Sequence, residues 1–230
     1  LFVAVPRSDR GIISYRTALE ITITFLFLLA LSQLSLAHVT AVLQAVPLIL
    51  TAFAAIILRE KVGWRRWIAV VTGFIGVMLI IKPGLDGFSV FSLSVLMAAI
   101  LIAARDILTR QLSVQTPSFL VALVTALAVT VAGGMATVAT GWQAPSLSSW
   151  FLMGGAALAI PAAYVLSIAT MRVGDVSFVT PFRYTAVVFA TIFSCLLTGH
   201  LPDGLSFLGT ILVIAAGIYC LHREHLLATQ

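Results

Sequence analysis

Arg183 stands two residues after Pro181 and one before Tyr184. It is a fixed cation beside a residue that cannot donate a backbone hydrogen bond. A guanidinium holds a carboxylate or phosphate bidentately, so this spacing reads as a site for an anionic group. Thr180, Tyr184, Tyr164 and Gln44 supply hydroxyl and amide partners for such a site. The alternatives for Arg183 are a structural ion pair or a stem that carries the charge out to a membrane interface. Hydroxyls and amides also bond simply from helix to helix. Glu20 offers a carboxylate for Arg183 or a carrier for a coupling proton; one turn after Arg16, it is also a local i, i+4 partner. Arg105 and Asp106 are adjacent and leave a helix on different faces, so solvated or interhelical pairing is expected of them. His38, His200, His222 and His225 fall at helix ends, and neither a metal-ligand pair nor a Walker phosphate loop is present. No metal and no cofactor is expected.

The elements that must position these groups are apolar helices. The chain is 61% hydrophobic and 9% charged, with a mean hydropathy of +1.14. Soluble domains carry about 25% charged residues, so a soluble core is the wrong description. A membrane barrel would show alternating segments of about 10 residues; the runs here are longer and do not alternate. The formal charge of +5 sits in loops, where topology accounts for it, and no nucleic-acid partner is expected. Cys195 and Cys220 lie in apolar runs without a close-spaced partner, which excludes a disulfide framework. The fold class expected is all-α, a polytopic helical membrane protein.

About eight spans of membrane-crossing length follow one another: Thr17–Ala37, 38–58, Trp67–Lys82, Phe88–Leu108, Phe119–Thr140, Trp150–Met171, Val176–Thr198 and Leu205–Leu221. Threading them in order puts Arg7, Arg10, Arg16, Arg59, Lys61, Arg65, Arg66, Arg110, Arg172 and Arg223 on one side, with Lys82 on the other. The positive-inside rule makes the basic side, and the C-terminus, cytoplasmic. Pro47, Pro161 and Pro181 are read as helix breaks inside spans, where a freed carbonyl must face protein or a watery cavity. Gly73 and Gly76 are read as a close-packing face for another helix. Trp64, Trp67, Trp142 and Trp150 sit at span ends as an interfacial belt.

The order of landmarks repeats. His38-Val-Thr-Ala-Val leads to Pro47, a polar turn at Glu60, and Gly73 with Gly76; Asp175-Val-Ser-Phe-Val leads to Pro181, a polar turn at His200, and Gly209 with Gly217. One copy enters from each side of the membrane, so the repeats are inverted, an arrangement typical of secondary transporters with a midplane site. Residues 1–83 are read as the C-terminal three helices of the first repeat and 84–230 as a complete second repeat of five. The first residue is leucine, and matching halves would place about two further helices before it.

These landmarks resemble the EamA type of the drug/metabolite transporter superfamily. The resemblance rests on Pro47 followed by Leu58-Arg59-Glu60-Lys61, on Arg65-Arg66-Trp67, and on Gly73 and Gly76 leading to Lys82-Pro83. In the second half it rests on Arg105-Asp106-Ile107-Leu108-Thr109-Arg110, Pro181-Phe182-Arg183-Tyr184 and the turn from Gly199 to Pro202, and it covers nearly the whole chain. His200 stands where that family usually has a glutamate. The resemblance implies ten helices in two inverted halves of five, both ends cytoplasmic, and movement of small organic solutes by alternating access.

The expectation is therefore a secondary transporter of an inner or plasma membrane. It would move an amino acid-like, nucleoside- or vitamin-like, or other organic-anion solute, with a proton or counter-substrate as coupling partner and the bilayer as solvent. The other classes are an intramembrane enzyme and a non-transporting scaffold. The first requires a nucleophile with its base, paired aspartates or a metal pair; Gly174-Asp175 resembles half of an aspartyl-protease motif but lies in a loop without an intramembrane partner.

Overall fold

Pro6 opens the first helix by accepting from the Asp9 amide at 3.0 Å, and α1 (Arg7–Leu31) runs on from it. The computed structural model describes residues 6–56, 63–82, 89–141, 144–173, 185–198 and 203–228. The helix starts well ahead of the expected Thr17. Ile12 and Ile13 already pack against apolar neighbours, and Ser14 after them returns its hydroxyl to the Arg10 carbonyl at 3.0 Å.

The second expected span is two helices, α2 (Leu36–Leu43) and α3 (Val46–Ile56). Ser35 caps α2 by accepting from the His38 amide at 3.3 Å. The interruption falls just before Pro47. Without an N–H, Pro47 cannot bond the carbonyl one turn back, and its ring crowds that carbonyl. The chain tightens instead, with the Gln44 amide shared between Thr40 and Ala41 carbonyls and the Ala45 amide reaching Val42. Thr51 returns its hydroxyl to the Pro47 carbonyl at 3.0 Å.

The remaining described helices are α4 (Trp64–Ile81), α5 (Val90–Arg110), α6 (Ser118–Thr140), α7 (Leu147–Val173), α8 (Thr185–Thr198) and α9 (Gly204–Ala228). Pro161 lies inside α7, which remains helical through it, so the break read there from sequence is absent. A single proline removes one turn-to-turn bond, and the long apolar flanks carry the helix on. Pro181 lies outside the described residues. Lys82 ends α4 in the left-handed region, with φ 54° and its amide bonded to the Met78 carbonyl.

Among the described residues there is no strand, and five helical stretches are long and apolar enough to cross a bilayer: Arg7–Leu31, Leu36–Phe53, Val90–Arg110, Ser118–Thr140 and Leu147–Ala169. Trp67–Ile81, Val188–Leu197 and Gly204–Tyr219 are shorter apolar helices. Phe151, Leu152 and Leu158 on α7 are exposed, as befits a helix whose solvent is lipid rather than water. The chain is a multi-pass helical membrane protein.

Contacts divide the chain into two units, Leu1–Ile21 with Leu108–Gly174, and Thr22–Ile107 with Asp175–Gln230. The first is centred on Ile13, Leu112, Val121, Ala122 and Ile168. The second has the larger core, including Val42, Leu48, Val77, Ile80, Val95 and Val213. Within that second unit α4 crosses α9 at two glycines. A Cβ added at Gly76 would lie 2.7 Å from the Gly209 carbonyl oxygen, and one at Gly209 would lie 2.5 Å from that of Gly76. Only glycine permits backbones to approach this closely. Gly73, one turn earlier, faces the Leu48 side chain and Ala216.

Candidate functional site

In the first unit, polar side chains converge on Arg16. It projects from α1 and is 2% exposed. Its Nε donates to the Thr109 hydroxyl at 2.9 Å, Nη1 to the Thr125 hydroxyl at 2.9 Å, and Nη2 to the Tyr164 hydroxyl at 3.0 Å. The Tyr164 ring lies 5.5 Å from the guanidinium carbon, within cation–π range. Thr125 in turn donates to the Val121 carbonyl at 2.8 Å, and Thr17 lies 3.5 Å from the Thr125 hydroxyl. Three helices thus place neutral hydroxyls around one permanent charge on a fourth. The sequence places Arg16 in the basic flank before the expected first span. The signal available was the apolar pair Ile12-Ile13 ahead of it, which shows that helix and burial begin earlier.

Nearby in the same unit, Asp9 of α1 accepts from the Ser113 amide at 3.1 Å and from the Ser113 and Thr116 hydroxyls at 2.7 and 2.6 Å. This ties the start of α1 to the turn after α5.

The second unit holds a cavity of about 470 Å³ lined by α2, α8 and α9, among them His38, Thr191, Asp203, Ser206, Phe207 and Thr210. His38 Nε2 lies 3.0 Å from the Ser92 hydroxyl. Asp203 caps α9, accepting from the Leu205 amide at 3.2 Å and the Ser206 hydroxyl at 2.7 Å. It also pairs with Lys82 at 2.6 Å. The Lys82 hydrogen bond, with that of Ser206, holds the Asp203 carboxyl down to about 2. A cation at the C-terminus of α4 and an anion at the N-terminus of α9 each also complement a helix dipole.

The residues singled out from sequence are therefore distributed. Tyr164 meets Arg16 in the first unit. Gln44 is buried at the C-cap of α2 in the second. Arg105 and Asp106 bond each other at 2.7 Å in the second unit: neighbouring positions point apart, but the long arginine side chain bridges the difference. Glu20 lies on α1 with interactions of its own. Thr180, Pro181, Arg183 and Tyr184 lie outside the described residues. Among the described residues no cluster of three or more His, Cys, Asp or Glu could hold a metal ion.

Comparison with known proteins shows what this apolar, helical chain is similar to. Residues 2–82 match the EamA-like transporter family. The chain is 32% identical over 176 residues to a riboflavin transporter of Vibrio cholerae, covering 76% of this chain and 58% of that protein. It is 28% identical over 188 residues to an S-adenosylmethionine uptake transporter of Rickettsia prowazekii, covering 80% of this chain and 63% of that one. A riboflavin transporter of Brucella anthropi is 25% identical over 228 residues, 96% of this chain and 80% of its own length. The chain thus spans roughly three fifths of the first two relatives. One crystal structure, at 17% identity, superposes with a TM-score of 0.65 over 97% of this chain and 79% of its own, a likeness of fold alone. These likenesses agree with the drug/metabolite transporter resemblance read from the motifs.

Proposed function

We propose that this protein is a secondary carrier of a small organic metabolite, working by alternating access rather than by catalysis. The observation that carries the reading is the extent of its likeness to named metabolite transporters, which reaches across 76% to 96% of the chain. Apolar helices with buried polar residues give that likeness a physical basis, since a polar solute needs a lined path through hydrocarbon. Riboflavin and S-adenosylmethionine, the solutes in the relatives' names, are both ring-bearing and strongly polar, and the solute class proposed here is the same.

In this reading residues 1–83 and 84–230 belong to two inverted repeats, and the C-terminus faces the cytoplasm of an inner or plasma membrane. Arg183, Tyr184, Thr180, Gln44 and Tyr164 are proposed solute contacts. Glu20, Arg105 and Asp106 are proposed coupling or structural charges, and the driving partner is a proton or counter-substrate. A screen of metabolites by thermal stabilisation of the purified full-length protein tests the solute class. A saturable rise in melting temperature with a ring-bearing metabolite is expected; stabilisation confined to solutes of another class would overturn it.

A further inference from the structure

Arg16 is a permanent cation in an almost fully buried position. Its guanidinium does not lose a proton in a protein, so burial is tolerable only when the charge is neutralised or densely hydrogen-bonded. Here each of its three nitrogens donates to a neutral hydroxyl, from Thr109, Thr125 and Tyr164. Hydroxyls and the face of Tyr164 solvate the charge without neutralising it. A guanidinium has five N–H groups. Among the described residues three are used in these bonds, leaving one on Nη1 and one on Nη2, nitrogens that also serve in bidentate grips on carboxylate and phosphate. Snorkelling does not account for the position, because the side chain is 2% exposed.

The partners also suit a site that fills and empties. A threonine or tyrosine hydroxyl accepts from a guanidinium and leaves its positive charge uncancelled for an arriving anion. A carboxylate partner would instead hold the cation permanently and repel that anion. We propose that Arg16, with the Tyr164 hydroxyl, is the recognition site for an anionic group, a carboxylate or phosphate monoester, on the carried solute. This rests on the transport reading above. It assigns the choice between charged and neutral solutes to the first unit, on a residue distinct from Arg183.

The test compares wild type, Arg16→Lys and Tyr164→Phe as purified full-length protein, with inorganic phosphate as the probe and chloride at equal ionic strength as the reference. Phosphate should raise the wild-type melting temperature by several degrees more than chloride. That increment should vanish in Arg16→Lys, which keeps the charge but loses the planar fork, and shrink in Tyr164→Phe. An increment that is absent from wild type, or equal in all three proteins, overturns the proposal. If Arg16→Lys does not fold, Tyr164→Phe decides alone, and an undiminished increment there overturns it. Flux measured on the same preparations separates the two readings. A phosphate increment dependent on Arg16 without any solute movement would defeat the transport reading and leave an anion site. Solute movement with equal increments would defeat this proposal alone.

Discussion

Gly76 and Gly209 face one another where α4 crosses α9, so closely that a methyl group on either would meet the other's carbonyl oxygen. Backbone cannot move aside as a side chain can. Gly76→Ala and Gly209→Ala are each expected to destabilise the protein by about 1–3 kcal/mol, the usual cost of overpacking. Gly73→Ala should cost less, because the nearest obstacle there is the flexible end of Leu48. Melting temperatures in detergent would rank the three, and equal values for Gly73→Ala and Gly76→Ala would contradict the crossing.

Asp203 carries a pH dependence. Its carboxyl is held at about 2, below the ordinary 3.8, chiefly by the Lys82 hydrogen bond. A carboxyl depressed on folding stabilises fully above its unfolded value, and that contribution fades as pH falls toward the folded one. Asp203→Asn should therefore melt lower than wild type at pH 7, with the gap closing between about pH 4 and pH 2. The Asp203 side chain is 52% exposed, so the gap should be small and should shrink with salt. A gap that stays constant across this range would contradict the ion pair's role.

Arg183 separates binding from architecture. If it holds an anionic solute group, Arg183→Ala should abolish uptake at near-normal expression. Arg183→Lys should then weaken apparent affinity by about 1.5–3 kcal/mol, the scale of a charged hydrogen bond. If it is half of a buried pair, removal strands a charge at about 3–5 kcal/mol and expression should collapse. Unchanged flux in Arg183→Ala would contradict both roles.

Orientation is open to labelling. The stretch from Gly141 to Ser148, which takes in the first turn of α7, is proposed to lie outside the cell. Single cysteines there, with Cys195 and Cys220 replaced, should react with an impermeant maleimide on intact cells. Reaction only after the membrane is opened would reverse the orientation.

The apolar runs announced the helices because hydropathy is a local property. The α6 boundaries, expected at Phe119–Thr140 and found at Ser118–Thr140, needed nothing more. Pro47 showed where a helix would be interrupted, since the lost amide bond is also local. Pro161 misled, because a helix long enough on both sides tolerates one missing bond. Arg16 was missed for a different reason. Its partners Thr109, Thr125 and Tyr164 lie 93, 109 and 148 residues away, and no local pattern pairs a cation with hydroxyls at such separations. Lys82 is read from sequence only as the end of a span, and Asp203 is not singled out at all. Their pairing depends on where α4 ends and α9 begins.

Solute flux into vesicles reconstituted with the full-length protein tests the central claim most directly. Radiolabelled riboflavin, S-adenosylmethionine and a panel of related polar metabolites would be followed in uptake and exchange. The account predicts saturable, time-dependent movement of at least one of them above protein-free vesicles, competed by the same unlabelled solute. Folded protein that moves none of them in either direction would contradict it.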